Sequence, residues 1–180
     1  MTSHDVLVRG AEEVAEGTLA FHLSKPAGFH FKAGQSATLS LIEPPPEPNS
    51  AQRIFSLASA PYEDELVIAT RMREGSAFKR ALKALPAGAR IRLKGPRGLM
   101  TLHEEASRAA VFIAGGIGIT PFLSMLRQAA HDGPARPLYL LYSNRRPPDA
   151  AFLAELQHRA QQSRRREPWR NRQAPGKAYL

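Results

Sequence analysis

Apolar and polar positions alternate through the first hundred residues. Leu19, Phe21 and Leu23 interleave with Thr18, His22 and Ser24; Ala37, Leu39 and Leu41 with Ser36, Thr38 and Ser40; Ala89, Ile91 and Leu93 with Arg90, Arg92 and Lys94. A period of two places one set of side chains on each face of a strand, so these runs predict strands with one buried face. Gly and Pro turns separate them, which points to an antiparallel barrel or sandwich. The run Glu43 to Pro48, EPPPEP, lacks ladder donors and is expected as a surface loop. One helix interrupts the pattern: Phe78, Ala81, Leu82 and Leu85 fall at helical spacing after Ser76, a predicted N-cap, and Pro86 ends it.

After about residue 108 the periodicity changes. Ala109 to Ala114 is an unbroken apolar run, expected as a strand buried on both faces. GGIGITP then leads into a helix with Phe122, Met125, Leu126 and Ala129 on one side. A turn at Asp132-Gly133-Pro134, a second strand at Leu138 to Tyr142 and a helix with Phe152, Leu153, Leu156 and Ala160 follow. This β-α-β-α order is the opening of a doubly wound parallel sheet. The predicted fold is therefore β + α/β: an antiparallel barrel with one capping helix over 1–105, the first part of a parallel α/β domain over 106–160, and a basic tail over 161–180.

Composition narrows the chemistry. The 180 residues are 43% hydrophobic and contain no cysteine, which excludes disulfides, thiolate nucleophiles and cysteine-held metal centres, so redox chemistry needs a borrowed cofactor. The net charge of +9 suggests nucleic acid at first sight. Residues 163 to 180, however, hold five Arg and one Lys against one Glu, a net +5 that leaves only +4 for the rest. Nucleic-acid recognition calls for a basic face interleaved with aromatics on a folded element, and this basicity trails the last periodic segment. The six histidines show no metal-ligand spacing, and no run is long enough to span a bilayer. A cytoplasmic monomer is expected, with no nucleic-acid or membrane partner.

Three segments carry candidate chemistry. In AGGIGITP, residues 114 to 121, glycines let backbone amides at a helix N-terminus approach a pyrophosphate, although Pro stands where the dinucleotide fingerprint has its last Gly. RIFSLAS, residues 53 to 59, offers a cation, an aromatic and a hydroxyl, the three groups a flavin uses; by itself it reads more readily as an ordinary strand, and its position among the other motifs is what favours the flavin. TRMREGSAFKRAL, residues 70 to 82, brings a strand into a helix whose first amides, near Arg71 or Arg73, could hold a second pyrophosphate; a well-capped amphipathic helix explains it as well.

In order, and with GPRG at 95 to 98 between them, these motifs resemble the ferredoxin–NADP reductase superfamily over roughly residues 5 to 157. The resemblance implies FAD as cofactor and NADPH or NADH as electron donor, with ferredoxin, flavodoxin or another carrier as acceptor. It implies that Arg53 contacts FAD phosphate, that Phe55, where many relatives have Tyr, stacks on the flavin beside Ile54, and that Ser56 lies near N5. Ala69 and Thr70 would pass the isoalloxazine edge, and Ser76, Ala77 and Phe78 would form the pyrophosphate turn. Gly115, Gly116, Ile117 and Gly118 would line the nicotinamide nucleotide, with Thr120 near the nicotinamide; Ser56 and Thr120 are thus the expected catalytic groups. Ser143 and Arg145 would meet the adenosine end. An arginine there selects for a 2′-phosphate in some relatives, but Arg145 and Arg146 read equally well as solvated loop charges, so NADPH and NADH both stay open.

Such families continue for further strands and a Gly-Pro segment. From about Gln161 the chain has neither, and a truncated or frame-shifted end is expected. A non-catalytic flavin-binding module and an inactive fragment are the rival readings.

Overall fold

The computed structural model describes residues 2–47, 50–133 and 136–164. Eight strands and three α-helices follow in chain order: β1 Thr2–Ala15, β2 Thr18–Ser24, β3 Ser36–Leu41, β4 Gln52–Ser56, β5 Glu65–Arg71, α1 Ala77–Ala84, β6 Arg90–Arg97, β7 Ala110–Gly115, α2 Thr120–Asp132, β8 Leu138–Ser143 and α3 Leu153–Arg164. The basic segment from residue 165 onward lies outside the described residues.

The first six strands form one antiparallel sheet in the order β4-β3-β6-β1-β2-β5. It curls into a barrel because the chain just past β4 pairs with β5, through a Leu57–Ile68 bridge and an Ala58 N–H to Val67 carbonyl bond of 2.7 Å. The alternating residues do what their period requires: Phe21, Leu23, Leu39, Ile91 and Leu93 all point into the core. Phe78 and Leu82 plug the barrel from α1. Burying each such side chain stabilises the fold by roughly 2–3 kcal/mol. Sequence periodicity does not reveal β1, whose six N-terminal residues pair with β6 before an irregularity at Val8/Gly10 turns the strand onto β2. A bulge of this kind bends a strand at a barrel corner.

The loop 98–109 carries no helix or strand and leads to β7 and β8, which pair in parallel from Ala110–Leu138 to Gly115–Ser143. One face of this pair, with Phe112, Ala114, Leu140 and Tyr142, packs with α2 and α3. The expected burial of β7 on both faces is corrected here: Val111 is 58% and Ile113 73% exposed, and Tyr139 and Leu141 are exposed beside them. The residues are apolar on both sides, but no described element covers the second face.

The buried side of α2 also differs from the expected stripe. Leu123, Ser124 and Met125 are buried, whereas Phe122 and Leu126 are only partly so. The barrel supplies a second surface against α2, through Ala20, Ala58, Val67 and Ala69, and rotates the covered face towards Ser124. α3 begins at Leu153, one residue later than its pattern suggests. Phe152 precedes it at φ 60, an unusual conformation for a bulky residue, held by a 3.2 Å bond from its N–H to the Val14 carbonyl.

Candidate functional site

The start of α1 collects positive charge. Ser76 caps the helix by accepting the Lys79 N–H at 3.4 Å, and no acidic residue lies in the first turn. The Arg53 guanidinium lies over the Phe78 ring, 5.9 Å from its centroid. Lys79 sends its ammonium back to the Arg71 carbonyl at 2.7 Å. Burial, then repulsion from Arg73 and Arg53, pushes the Lys79 ammonium below its ordinary pKa. Arg53, Arg73 and Lys79 pair with no carboxylate among the described residues. Three cations at the positive end of a helix dipole, with no carboxylate partner among the described residues, are an arrangement that could hold an anion.

Along β4, Phe55 faces the barrel core at 9% exposed, its ring 5.9 Å from that of Phe78, while Ile54 stands 55% exposed on the other side. Ser56 is half-buried, and its hydroxyl takes no partner among the described residues. Ala69 and Thr70 are both buried on β5, so they present backbone more than side chain to any ligand. Ala77 and Phe78 are buried as well, leaving the first turn of α1 to act through its amides.

A cleft of about 500 Å³ opens at the carboxyl ends of β7 and β8, the edge of a parallel sheet where ligands bind. Gly116, Ile117, Ser143 and Arg145 line it from one side and Arg71 and Arg73 from the barrel. Gly116 opens a short 3₁₀ turn at φ 50, and a Cβ at Gly115, Gly116 or Gly118 would meet no atom within 4 Å. Gly116 suits its left-handed backbone, whereas at Gly115 and Gly118 no neighbour excludes a side chain, and together the three leave a stretch of bare backbone at the cleft. Pro121 then occupies the first turn of α2. Thr120 is buried with its Oγ1 donating to the Ile117 carbonyl at 3.2 Å, so its hydroxyl shapes the turn.

Two cleft residues, Asn144 and Asp149, are given no role by the sequence reading. Asn144 Oδ1 is buried without a hydrogen-bond partner among the described residues. Buried Asp149 lies 2.8 Å from Arg146 and 3.7 Å from Arg71; hydrogen bonds from Arg146 outweigh its desolvation and hold its carboxyl below the ordinary range. Arg146, also 3.0 Å from Glu16, is thereby engaged, which leaves Arg145 as the exposed arginine of this loop that lines the cleft. Arg73 belongs to both the anion site and the cleft, placing the two side by side. The order Ser-Asn-Arg-Arg-Pro-Pro-Asp in the loop gives no hint of its distant partners, Glu16 just past β1 and Arg71 at the end of β5. Among the described residues no group of His, Asp and Glu could hold a metal ion, and no helix is long and apolar enough to cross a membrane.

Residues 112–178 match a family model described as an oxidoreductase NAD-binding domain. The chain is 35% identical to ferredoxin–NADP reductase B of Sorangium cellulosum over 148 residues, 82% of this chain and 59% of that protein. It is 33% identical to methane monooxygenase component C of Methylosinus trichosporium over 111 residues, 61% of this chain and 33% of that one. The solved structure of phthalate dioxygenase reductase superposes with a TM-score of 0.72 at 29% identity, covering 86% of this chain and 48% of the other. The chain thus spans between a third and three fifths of the length of these relatives.

Proposed function

Because the chain belongs to the ferredoxin–NADP reductase superfamily, we propose that its barrel, residues 1–105, holds FAD and that the cleft of residues 106–160 receives NADPH or NADH as electron donor. The observation that carries this reading is the unneutralised cluster Arg53, Arg73 and Lys79 at the start of α1, next to a glycine-lined cleft. A dinucleotide's pyrophosphate supplies the charge that this cluster lacks, and the amides of Ala77 and Phe78 add donors to it, whereas the Ser76 N–H, expected free, is taken by the Arg73 carbonyl at 3.1 Å. When bound, FAD supplies the redox chemistry, taking up a hydride equivalent and giving electrons on singly or in pairs.

The chain's own residues position and shield. Phe55 forms the floor of the flavin site, Ile54, whose side chain lies on the opposite face of β4, meets it through its backbone, and Ser56 offers it a hydroxyl. Ala69 and Thr70 edge the same site through their backbone. Gly115, Gly116, Ile117 and Gly118 hold the nicotinamide nucleotide by backbone approach, while Thr120 keeps their turn in shape. Ser143, Asn144 and Arg145 meet its adenosine end. Fixing donor and acceptor in register is the main contribution a protein makes to such a transfer.

The electron acceptor is a carrier of the ferredoxin or flavodoxin kind, or the iron–sulfur partner of an oxygenase. The phthalate reductase is described as passing electrons from pyridine nucleotides to a [2Fe-2S] centre. With no cysteine in these 180 residues, any such centre sits elsewhere. A cytoplasmic setting, where NAD(P)H is produced, suits this role.

The test is the absorption spectrum of the full chain after incubation with FAD, followed by anaerobic titration with NADPH and with NADH. A flavin spectrum that bleaches with either nucleotide supports the reductase. A stable flavin spectrum that neither nucleotide bleaches marks a non-catalytic flavin-binding module. A folded but colourless protein overturns the assignment.

A further inference from the structure

Ser124 is fully buried in the middle of α2, yet none of its hydrogen bonds outside the helix stays in its own half of the molecule. Its hydroxyl donates to the Ser59 carbonyl at 2.6 Å and accepts the Gly34 N–H at 3.3 Å, both from the barrel. One turn on, Arg127 reaches the Ala58 carbonyl and the Glu63 carboxylate, each at 3.4 Å, and is clamped on the α3 side by two bonds to Glu155 at 2.9 and 2.8 Å. Its side chain is only 13% exposed, and its guanidinium lies 5.8 Å from the Phe152 ring centroid. Gly34, at φ 94, lets α2 come this close: a Cβ there would fall 2.3 Å from Met125 Cε and 2.4 Å from the Met100 carbonyl oxygen.

The covalent neighbourhood of this joint matters. Ala58 and Ser59 continue directly from Arg53 to Ser56, the flavin-side segment, and Ser124 follows the glycine turn by little more than one helical turn. A strand end and a helix turn, both rigid, therefore run from one nucleotide site to the other through the Ser124 and Arg127 bonds. The other links between the halves do not hold the helix that carries the glycine turn in this way. Glu16 to Pro148, Val14 to Phe152 and Arg71 to Asp149 attach the start of α3, and the Tyr62–His131 stack, at 3.9 Å, joins the far end of α2.

We propose that Ser124 and Arg127 are positioning residues that set the distance between the flavin face of the barrel and the nicotinamide-binding turn. The idea rests on the functional reading above only for its consequence on transfer; the geometric part stands on the contacts alone. A displacement of about 1 Å between reacting groups can cost on the order of a hundredfold in rate, and these bonds are buried enough to resist one.

The geometric part is tested without any ligand. The chain has no cysteine, so spin labels can be attached at Glu43→Cys and Gln157→Cys, one exposed site on each half. Ala130→Cys with Gln157→Cys gives a control pair within the α/β half. Double electron–electron resonance should show one narrow distance distribution for the first pair, broadened at least twofold by Ser124→Ala and by Arg127→Met, while the control pair stays narrow. Methionine keeps the packing on Phe152, so the two variants fail differently if one of them unfolds; Glu63→Gln, which weakens the barrel arm of Arg127 while its amide oxygen can still accept the Ala60 N–H, serves should both unfold. An unchanged first pair, or equal broadening of the control pair, overturns the proposal. In FAD-loaded protein the Ser124→Ala variant should keep FAD and NADPH affinities within threefold while the rate of flavin reduction falls tenfold or more. A wild-type chain that binds no FAD defeats the functional reading and leaves the distance result as the test of the joint.

Discussion

The Arg53 guanidinium rests over the face of Phe78, 5.9 Å from the ring centroid, while Phe78 itself is buried in the barrel. The contact orients a cation at the start of α1 without neutralising it. Arg53→Ala should therefore weaken FAD binding by about tenfold to a hundredfold, the worth of one charge-assisted hydrogen bond of roughly 1.5–3 kcal/mol. Flavin fluorescence during titration of the FAD-free protein measures this. An affinity within a factor of two of wild type would remove Arg53 from the site.

Lys79 is held below its ordinary pKa by burial and by its neighbours Arg73 and Arg53. The folded state binds that proton less tightly than the unfolded chain, so this contribution to stability rises as pH increases through the lowered pKa. Lys79→Gln should leave the melting temperature of the FAD-free protein unchanged or higher, yet weaken FAD. A drop in both would mark Lys79 as structural.

Glu155 gives the opposite pH signature. Burial pushes its carboxyl up, but the hydrogen bonds and charge of Arg127, with Arg159 adding, hold it below the ordinary range. It contributes stability above its unfolded pKa, about 4.3, and that contribution is lost as pH falls through the lowered folded value. Urea unfolding between pH 7 and pH 3 should show the loss, and Arg127→Met should flatten it while destabilising at pH 7 by about 1.5–3 kcal/mol. Parallel pH profiles for the two proteins would count against the pairing.

Gly118 faces open space and has room for a side chain. Gly118→Val should melt close to wild type but bind NADPH or NADH at least tenfold more weakly, roughly 1.4 kcal/mol, because its isopropyl group would occupy the nucleotide's approach. Calorimetry and a thermal melt together decide it; equal loss of stability and binding would make Gly118 a folding residue.

Val111 and Ile113 expose an apolar sheet face that cores normally cover. Replacing both with Lys and Thr should change unfolding free energy by no more than about 0.5 kcal/mol each and shift sedimentation towards the expected monomer. If the double variant unfolds instead, that face is covered in solution.

Local sequence determined much of this protein. The Ser76 cap, the Pro86 stop and the three alternating strand runs each follow from residues within a few positions of one another, and each stands in the structure as expected. The glycine turn was legible for the same reason, since the backbone freedom of Gly116 and Gly118 is intrinsic. The long strand β1 was not: Arg9, Gly10, Glu12 and Glu13 break its alternation because the strand bends from one partner to another at a barrel corner.

Tertiary structure alone decided which apolar residues were covered and which polar ones were enclosed. Val111 and Ser124 show the difference, the first exposed despite its apolar side chain and the second buried despite its hydroxyl. Burial depends on what packs against a face, and the barrel that covers Ser124 is distant in sequence. The same holds for Arg71 and Asp149, 78 positions apart in sequence and 3.7 Å apart in space. Sequence specifies which groups can bind a dinucleotide; only the packing of α2 against the barrel specifies how far apart the two binding surfaces stand.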